Sequence, residues 1–315
     1  MKLIRGLHNL STALDGCVAT IGNFDGLHLG HQHVINQLKA VAEIHNLPTV
    51  VILFEPQPVE FFAPSQAPRR LARFRDKIIQ LGEIGIDYMV CLQFNQQLAN
   101  LSAAEFVQQI LVERLNIRHL VIGDDFRFGK GRCGDFAFLR QAGEKAGFEV
   151  ENSHTLLIDN ERVSSTRIRQ CLADNDLVMA RLLLGHPYTL SGRVAHGKKL
   201  GRDLGFPTIN LKMGSRPIAA YGIFAVLVKG IDNRILRGVA SIGTRPTVNG
   251  VGTWLEVYIL NFSEQIYGRC VDVELLHKIR DEEKFDSLQA LTARIEQDID
   301  AAKAFFEHHF NTTRA

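Results

Sequence analysis

The pattern of hydrophobic residues changes near residue 185, and this change constrains the fold more than any other feature. In the first half, short β-branched runs alternate with amphipathic stretches. The predicted strands are residues 17–22, 49–54, 88–92 and 119–123, and the predicted helices are residues 31–45, 71–84 and 103–114. Strands and helices that alternate at these lengths form a parallel sheet with helices on both faces. Such sheets bind ligands at the carboxyl ends of their strands.

The second half has the pattern of an all-β structure. The predicted strands at residues 188–194, 221–229, 235–242, 253–262 and 271–276 are separated by Gly, Pro and Asn turns, which indicates a β-barrel. Apolar residues then recur at spacings of three and four over residues 287–310, which predicts a closing helix. With short helices at about 166–184 ending the first part, we expect two domains, residues 1–185 and 186–315.

The composition argues against several classes of function. The chain is 46% hydrophobic and 22% charged, and no apolar stretch reaches the roughly 18 residues that a membrane helix needs. Five scattered cysteines without a C-x-x-C pair indicate neither a disulfide framework nor a zinc site, and they favour a reducing compartment. A formal net charge of +2 is too small to indicate a nucleic-acid partner. We therefore expect a cytoplasmic protein with no membrane or nucleic-acid partner.

The most informative segment, residues 22–31, lies between the first predicted strand and the first predicted helix. Its glycines let the backbone approach a phosphate, and the N–H groups at a helix start favour anions. His28 and His31, at the helix entrance, can both donate to phosphate oxygens, and Gly30 keeps the space between them clear. Taken alone, the H-x-G-H pattern is also compatible with two surface or core histidines.

Two further segments of the first half carry candidate ligand contacts. Residues 162–169 place a Ser/Thr cluster and arginines at a helix start, where the alternative is a simple N-cap. Residues 123–129 follow the fourth predicted strand and contain Phe126 and Phe128, whose rings offer faces for a flat aromatic ligand. The alternative for these two residues is a pair of core phenylalanines that flank a turn.

In the second half, the glycine-rich segment 201–210 ends in Pro-Thr-x-Asn. If this segment is a strand, alternation puts Thr208 and Asn210 on one face, where a hydroxyl and an amide carbonyl can share one Mg²⁺. A bare Pro-Thr-x-Asn usually marks nothing more than a turn, so the neighbouring blocks at residues 238–248, 255–258, 267–268 and 278–285 decide the interpretation.

These motifs carry a family resemblance. H-x-G-H and the 162–169 segment resemble the two nucleotide motifs of the nucleotidyltransferase superfamily, and the barrel blocks resemble those of riboflavin kinases. In this order, from Leu3 to about Phe306, the chain resembles the bacterial bifunctional riboflavin kinase/FAD synthetases. The resemblance implies a Rossmann-like adenylyltransferase domain followed by a flavokinase β-barrel with a C-terminal helix. It also implies that riboflavin is phosphorylated to FMN, and that ATP then adenylylates FMN to FAD with release of pyrophosphate.

The resemblance assigns roles to individual residues. The catalytic residues it implies are His28, His31 and Glu256, the last as the base for the ribityl hydroxyl or, alternatively, a solvated strand carboxylate. The ATP contacts it implies are Gly22, Phe24, Asp25, Gly30, Arg162, Ser165, Thr166, Arg169, Gly197, Lys198 and Arg202. The flavin contacts are Phe54, Asp125, Phe126, Phe128 and Arg280, and the Mg²⁺ ligands are Thr208 and Asn210. The chain departs from many members at Gln57, where they carry His, and at Ile209 and Tyr258.

Two other functions remain as alternatives. The chain could be a flavokinase whose first domain is only a scaffold, or a flavin-binding regulator without turnover. Intact His28, His31, Ser165 and Thr166 argue against a decayed first domain, and metal ligands together with Glu256 argue against a binding module, since flavin storage needs neither. The sequence leaves the oligomeric state open between a monomer and weak self-association.

Overall fold

The computed structural model describes residues 1–9, 14–123, 125–197, 201, 204–214, 218–247 and 250–311. The chain divides into two compact units, one of Met1–Pro68 and Ala72–Ser165 and the other of Arg69–Leu71 and Thr166–Ala315. This division groups the short helices after residue 165 with the second unit. The boundary near residue 185 stays a prediction about which segment folds independently.

The first unit contains the predicted parallel sheet, with two strands more than the sequence indicated. Its order is β1-β4-β3-β2-β5-β6, and every neighbouring pair is parallel. The strands are β1 (Lys2–Arg5), β2 (Cys17–Ile21), β3 (Thr49–Glu55), β4 (Tyr88–Gln93), β5 (Ile117–Gly123) and β6 (Glu149–Ser153). The edge strands β1 and β6 were missed because both are short and only partly buried.

The strand order creates a switch point beside β2. The chain steps from β2 to β3 to β4 in one direction and then crosses back to place β5 on the other side of β2. The loops that leave β2 and β5 therefore diverge at the carboxyl edge of the sheet, which is where open α/β sheets bind ligands. The segments 22–28 and 125–129 belong to these two loops.

Helices cover both faces of this sheet. They are α1 (Leu29–His45), α2 (Pro58–Phe62), α3 (Phe74–Glu83), α4 (Gln96–Asn100), α5 (Ala103–Phe106) and α6 (Phe136–Ala146), and a π-helical segment, Val107–Val112, follows α5. On one face, Leu38 and Leu81 pack with Val51, whereas Ile52 faces the opposite core with Phe106. Alternate β3 residues thus enter different cores, which explains why the strand is continuously apolar. A two-stranded hairpin, β7 (Leu157–Ile158) and β8 (Glu161–Arg162), precedes α7 (Ser165–Ala173) and α8 (Leu177–Leu184).

The second unit contains a closed antiparallel barrel, as the sequence predicted. Its order is β10-β13-β12-β11-β14-β9, and β9 pairs with β10 to close it. The strands are β9 (Thr189–Ala195), β10 (Thr208–Gly214), β11 (Gly222–Ile231), β12 (Arg234–Thr247), β13 (Gly250–Ile259) and β14 (Cys270–Arg280).

The closing helix α9 (Leu288–Asn311) packs along the barrel. Ile299, Ala302 and Phe306 are buried in one cluster with Ile223 of β11 and Val239 of β12. This amphipathic face explains the three-and-four spacing seen in the sequence. Over the residues that the structure describes, no helix combines the length and apolarity needed to cross a bilayer.

Candidate active sites

The loop of residues 22–28, between β2 and α1, has an unusual backbone. Phe24 and Leu27 both have a φ of 45°, in the left-handed region that bulky side chains rarely adopt. Both side chains are buried, so core packing holds the strained backbone in place. Strain of this kind collects at ligand sites, and left-handed residues help to form the N–H concavities that bind anions.

Side-chain donors fix the direction of three alternate carbonyl groups in this loop. The pairs are Lys77 Nζ with the Asn23 carbonyl at 2.8 Å, Ser165 Oγ with the Asp25 carbonyl at 2.9 Å, and Gln32 Nε2 with the Leu27 carbonyl at 2.9 Å. A carbonyl oxygen that accepts a hydrogen bond from a side chain points toward that donor. The arrangement therefore orients the loop backbone independently of any ligand.

The two histidines of the H-x-G-H pattern lie together at the start of α1. His28 is the N-cap, and its Nδ1 accepts from the backbone N–H of His31 at 3.3 Å. The two imidazole rings stack with centroids 3.6 Å apart and an interplanar angle of 16°. A Cβ on Gly30 would lie 3.2 Å from both the His28 ring and the Val163 carbonyl, so the glycine is needed for this close packing.

His31 is electrostatically suited to remain neutral. Burial lowers the pKa of its imidazole well below the usual value, and the nearby positive groups His28, Lys77 and Arg162 lower it further. Its Nδ1 is enclosed and has no hydrogen-bond partner among the described residues. An imidazole placed this way, beside a helix N-terminus and two cationic side chains, suits a ligand that carries several negative oxygens.

Ser165 of the 162–169 segment contacts the same loop, because its hydroxyl donates to the Asp25 carbonyl. The Asp25 carboxylate in turn accepts from the Ala72 N–H at 3.0 Å. Arg162 forms an exposed ion pair with Asp125 at 2.8 Å, which joins the 162–169 segment to the loop after β5. Thr166 follows Ser165 in the first turn of α7, and Arg169 Nε donates to the Arg69 carbonyl at 2.6 Å.

The predicted flavin contacts of the first unit belong to an aromatic cluster at the carboxyl ends of β3 and β5. Phe126 stacks on Phe128 with ring centroids 5.6 Å apart, and Phe128 and Phe54 both pack against Phe106. Phe128 is 6% exposed, so it is largely a core residue, whereas Phe126 is only half-buried. Gln57, the N-cap of α2, is also buried.

In the second unit, a cavity of about 550 Å³ lies between the barrel and α9. Its volume is within the usual range of roughly 300–1,000 Å³ for small-molecule sites. Apolar side chains line most of it, and a small polar group occupies the wall formed by β10, β12 and β13. The lining includes Phe206, Thr208, Asn210, Ile223, Val239, Ser241, Glu256, Tyr258, Arg280, Phe285, Ile295, Asp298 and Ile299.

Strand register assembles this polar group. Asn210 of β10 lies directly opposite Glu256 of β13, and Glu256 lies opposite Ser241 of β12. The side chains of directly paired residues point to the same face of the sheet. Thr208 and Asn210 also share that face, because they are two positions apart on one strand. Asn210 Nδ2 donates to the Thr208 carbonyl at 3.3 Å. A Cβ on Gly197 would lie 2.5 Å from that Nδ2, which places the chain after β9 directly on the Asn210 amide.

Arg280 lines the same cavity but is engaged by a buried carboxylate. Its Nε and Nη2 donate to the two oxygens of Asp298, each at 2.7 Å, and its Nη1 donates to the Asp281 carbonyl. The hydrogen bonds that Arg280 donates to Asp298 raise the pKa of Arg280 above its usual value. Asp298 is 4% exposed, so this pair joins β14 to α9 at the wall of the cavity.

Comparison with known proteins relates both halves of the chain to known families. The FAD synthetase family model matches residues 10–167, and the riboflavin kinase family model matches residues 184–306. A bifunctional riboflavin kinase/FMN adenylyltransferase of Escherichia coli strain K12 is 48% identical over 307 residues, which cover 97% of this chain and 98% of that protein. One of the same name from Pseudomonas fluorescens is 49% identical over 96% of this chain and 97% of its own. The chain belongs to the bifunctional riboflavin kinase/FMN adenylyltransferase family.

A solved structure shares this fold. A Streptococcus pneumoniae protein, described as a macrolide-efflux protein, matches with a TM-score of 0.76 and 29% identity, covering 96% of this chain and 99% of its own. The matches in sequence and structure thus confirm the fold class and family that the motifs predicted.

The structure brings most of the predicted residues into two groups. One group lies at the loop after β2 and the other lines the barrel cavity. Lys198 and Arg202 lie outside the described residues. Sequence reasoning missed Lys77, Gln32 and Asp298, because no local sequence pattern marks the hydrogen bonds that their side chains form. Only the amphipathic pattern of α9 offered a signal, since Asp298 falls on its buried face.

Proposed function

We propose that this chain makes FAD from riboflavin in two ATP-dependent steps, the first in the barrel and the second at the loop after β2. The observation that carries the proposal is the full-length relationship to bifunctional enzymes together with a polar constellation in each unit. In the first step the terminal ribityl hydroxyl of riboflavin takes the γ-phosphoryl group of ATP, leaving ADP. In the second, the FMN phosphate attacks the α-phosphorus of ATP and pyrophosphate leaves.

For the kinase step, Glu256 is the proposed general base. It lies directly across from Asn210 in the cavity wall, and a carboxylate there accepts the proton from the attacking hydroxyl. Thr208 and Asn210 are the proposed holders of Mg²⁺, and hard oxygen donors on one strand face fit that ion. When bound, Mg²⁺ neutralises phosphate charge as the phosphoryl group moves. Arg280, fixed by Asp298, is a proposed contact at the flavin end of the cavity.

For the adenylyl transfer, His28 and His31 are the proposed catalytic residues. Their stacked rings at the start of α1 place imidazole nitrogens where the helix N-terminus already favours phosphate. They would stabilise the negative charge that grows on the α-phosphate. The proposed ATP contacts around them are Gly22, Phe24, Asp25, Gly30, Arg162, Ser165, Thr166 and Arg169. The aromatic cluster, with Phe54, Phe126, Phe128 and the adjacent Asp125, is proposed to hold the flavin of FMN.

We also place the enzyme in the cytoplasm. The five cysteines are scattered along the chain without a C-x-x-C pair, which fits a reducing compartment.

Product analysis tests both steps at once. The enzyme is incubated with riboflavin, ATP and Mg²⁺, and FMN, FAD, ADP and pyrophosphate are separated and measured. We expect His28→Ala/His31→Ala to stop FAD formation while FMN accumulates. The matched control is His33→Ala, an exposed histidine on the same helix. Loss of both activities in a folded double variant would contradict separate sites.

The reciprocal variants test the barrel. Asn210→Ala and Glu256→Ala should abolish riboflavin phosphorylation while supplied FMN is still converted to FAD, and exposed Glu296→Ala on α9 serves as the control. Unchanged phosphorylation would refute the kinase assignment. A wild-type enzyme that forms FMN but never FAD would support the scaffold alternative, and one that binds flavin without turnover would support the regulator.

A further inference from the structure

Lys77 of α3 is a charged residue in a place where charge is costly. Its side chain is 2% exposed, in a helix whose other buried residue is Leu81. Taking an ammonium group out of water is strongly unfavourable unless it is hydrogen-bonded or paired. Its Nζ donates to the Asn23 carbonyl at 2.8 Å. A cation is therefore buried where it can act on the loop that carries the H-x-G-H histidines.

The bond to Asn23 holds the loop next to one of its two left-handed residues. Asn23 immediately precedes Phe24, whose φ of 45° costs free energy that the surroundings must supply. Phe24 in turn contacts the His31 ring, with centroids 5.0 Å apart. If the Asn23 carbonyl moved, Phe24 would move with it and would displace the His31 imidazole that it contacts.

Lys77 also acts on His31 through its charge. The groups that face His31 electrostatically are His28 of the same helix start, Lys77 of α3 and Arg162 of β8, all of which lower its pKa, as does burial. Lys77 is buried, whereas Arg162 is half-exposed and paired with Asp125. Screening by water is weaker for a buried charge, so removal of Lys77 should affect the His31 pKa more than removal of Arg162.

We propose that Lys77 is a positioning residue for adenylyl transfer, which holds the Asn23 carbonyl and thereby sets the placement of His28 and His31. The proposal rests on the adenylyltransferase function proposed above. Lys77 works through the loop and is not assigned a contact with either substrate. Its positive charge adds a second effect, a neutral His31 at the start of catalysis.

The test compares Lys77→Met, which keeps the length of the side chain and removes its charge, with Lys77→Arg, which keeps the charge. Lys39→Met is the matched control, because Lys39 Nζ also donates to a carbonyl, that of Ile84, at 2.8 Å, but at the surface. Three quantities are measured on the full chain. These are kcat and KM for FMN adenylylation, riboflavin phosphorylation, and the His31 titration by NMR of labelled histidine, assigned with His31→Asn.

We expect Lys77→Met to lower kcat for FAD formation by about 100-fold, the size of effect that a misplacement of about 1 Å produces. Phosphorylation of riboflavin should be unchanged. The pKa of His31 should rise in Lys77→Met and stay low in Lys77→Arg and Lys39→Met. Partial retention of FAD formation in Lys77→Arg would support the combined role of bond and charge.

Two outcomes would overturn the proposal. One is a Lys77→Met enzyme with the FAD formation and His31 titration of Lys39→Met. The other is unfolding of the first unit in both Lys77→Met and Lys77→Arg, seen as a collapsed far-UV circular dichroism signal and a His31 titration at the usual histidine value, which would make Lys77 a residue needed for folding and not for positioning. If the wild-type enzyme itself formed no FAD, the proposed function would fail. The His31 titration would still test Lys77, since it needs no turnover.

Discussion

The buried pair between Arg280 and Asp298 should hold α9 on the barrel. We expect Asp298→Asn to destabilise the second unit by about 3 kcal/mol, the lower end of the roughly 3–5 kcal/mol for breaking one partner of a buried ion pair. The lower end applies because Arg280 keeps its bond to the Asp281 carbonyl and has Glu283 within 4.0 Å. Asn also keeps one acceptor oxygen for the guanidinium. The loss comes from the two 2.7 Å bonds between the pair.

A single intrinsic probe can measure this loss. Trp254 of β13 is the one tryptophan in the sequence, so its fluorescence reports on the second unit alone. Urea unfolding of small domains has a slope of about 1–3 kcal/mol per molar. With a slope near 2 kcal/mol per molar, a loss of about 3 kcal/mol lowers the midpoint by roughly 1.5 M.

Asp300→Asn on the same helix is the control. Asp300 is 75% exposed and pairs only at the surface, with Lys303 at 3.1 Å, so we expect a change below about 0.5 kcal/mol. If Asp298→Asn and Asp300→Asn unfolded at the same urea concentration, the buried pair would not stabilise the unit and the reasoning would be wrong.

Three more predictions concern the cavity, pH and the boundary. Gly197→Ala should reduce riboflavin phosphorylation by about 100-fold, measured as ADP release, because its Cβ would lie 2.5 Å from Asn210 Nδ2; FMN adenylylation should be unchanged. Folding lowers the pKa of His31, so below about pH 6.5 the unfolded chain binds a proton at His31 that the folded first unit does not bind. The free energy of unfolding of the first unit should therefore decrease as the pH is lowered from about 6.5, by up to about 1.4 kcal/mol per pH unit. His31→Asn should flatten that slope in urea unfolding followed by circular dichroism. A fragment starting at Thr166 should unfold at higher urea than one starting at His186, since α8 contacts β14; equal midpoints would support the predicted boundary at residue 185.

The sequence predicted those parts of the site that depend on local pattern. The alternation of Thr208 and Asn210 along β10 follows from the strand period of two. That Glu256 faces Asn210 does not, because it depends on the register of β10 against β13, which pairs two residues 46 positions apart. The family resemblance supplied Glu256, and the register explains why that residue lies in the cavity.

Buried charges were the main feature that the sequence could not indicate. Lys77 has the appearance of an ordinary solvent-facing position in an amphipathic helix, since nothing near it marks its carbonyl partner 54 positions away. Asp298 is similar, because the Arg280 that neutralises it lies 18 positions away on another element. Hydrophobic period predicts which face of a helix is buried, but it cannot predict a polar residue on that face whose partner comes from elsewhere.

The two sites differ in what holds their geometry, and this difference predicts different responses to substitution. In the barrel, the proposed ligands are side chains on paired strands, so neighbouring substitutions that leave the register intact should be tolerated. At the loop after β2, the geometry is held by donors such as Lys77, Ser165 and Gln32, each bonded to a backbone carbonyl. Removing any one of these donors releases the backbone itself. FAD formation should therefore be sensitive to Lys77 and Gln32, which are assigned no contact with substrate, whereas riboflavin phosphorylation should depend mainly on residues that line its cavity.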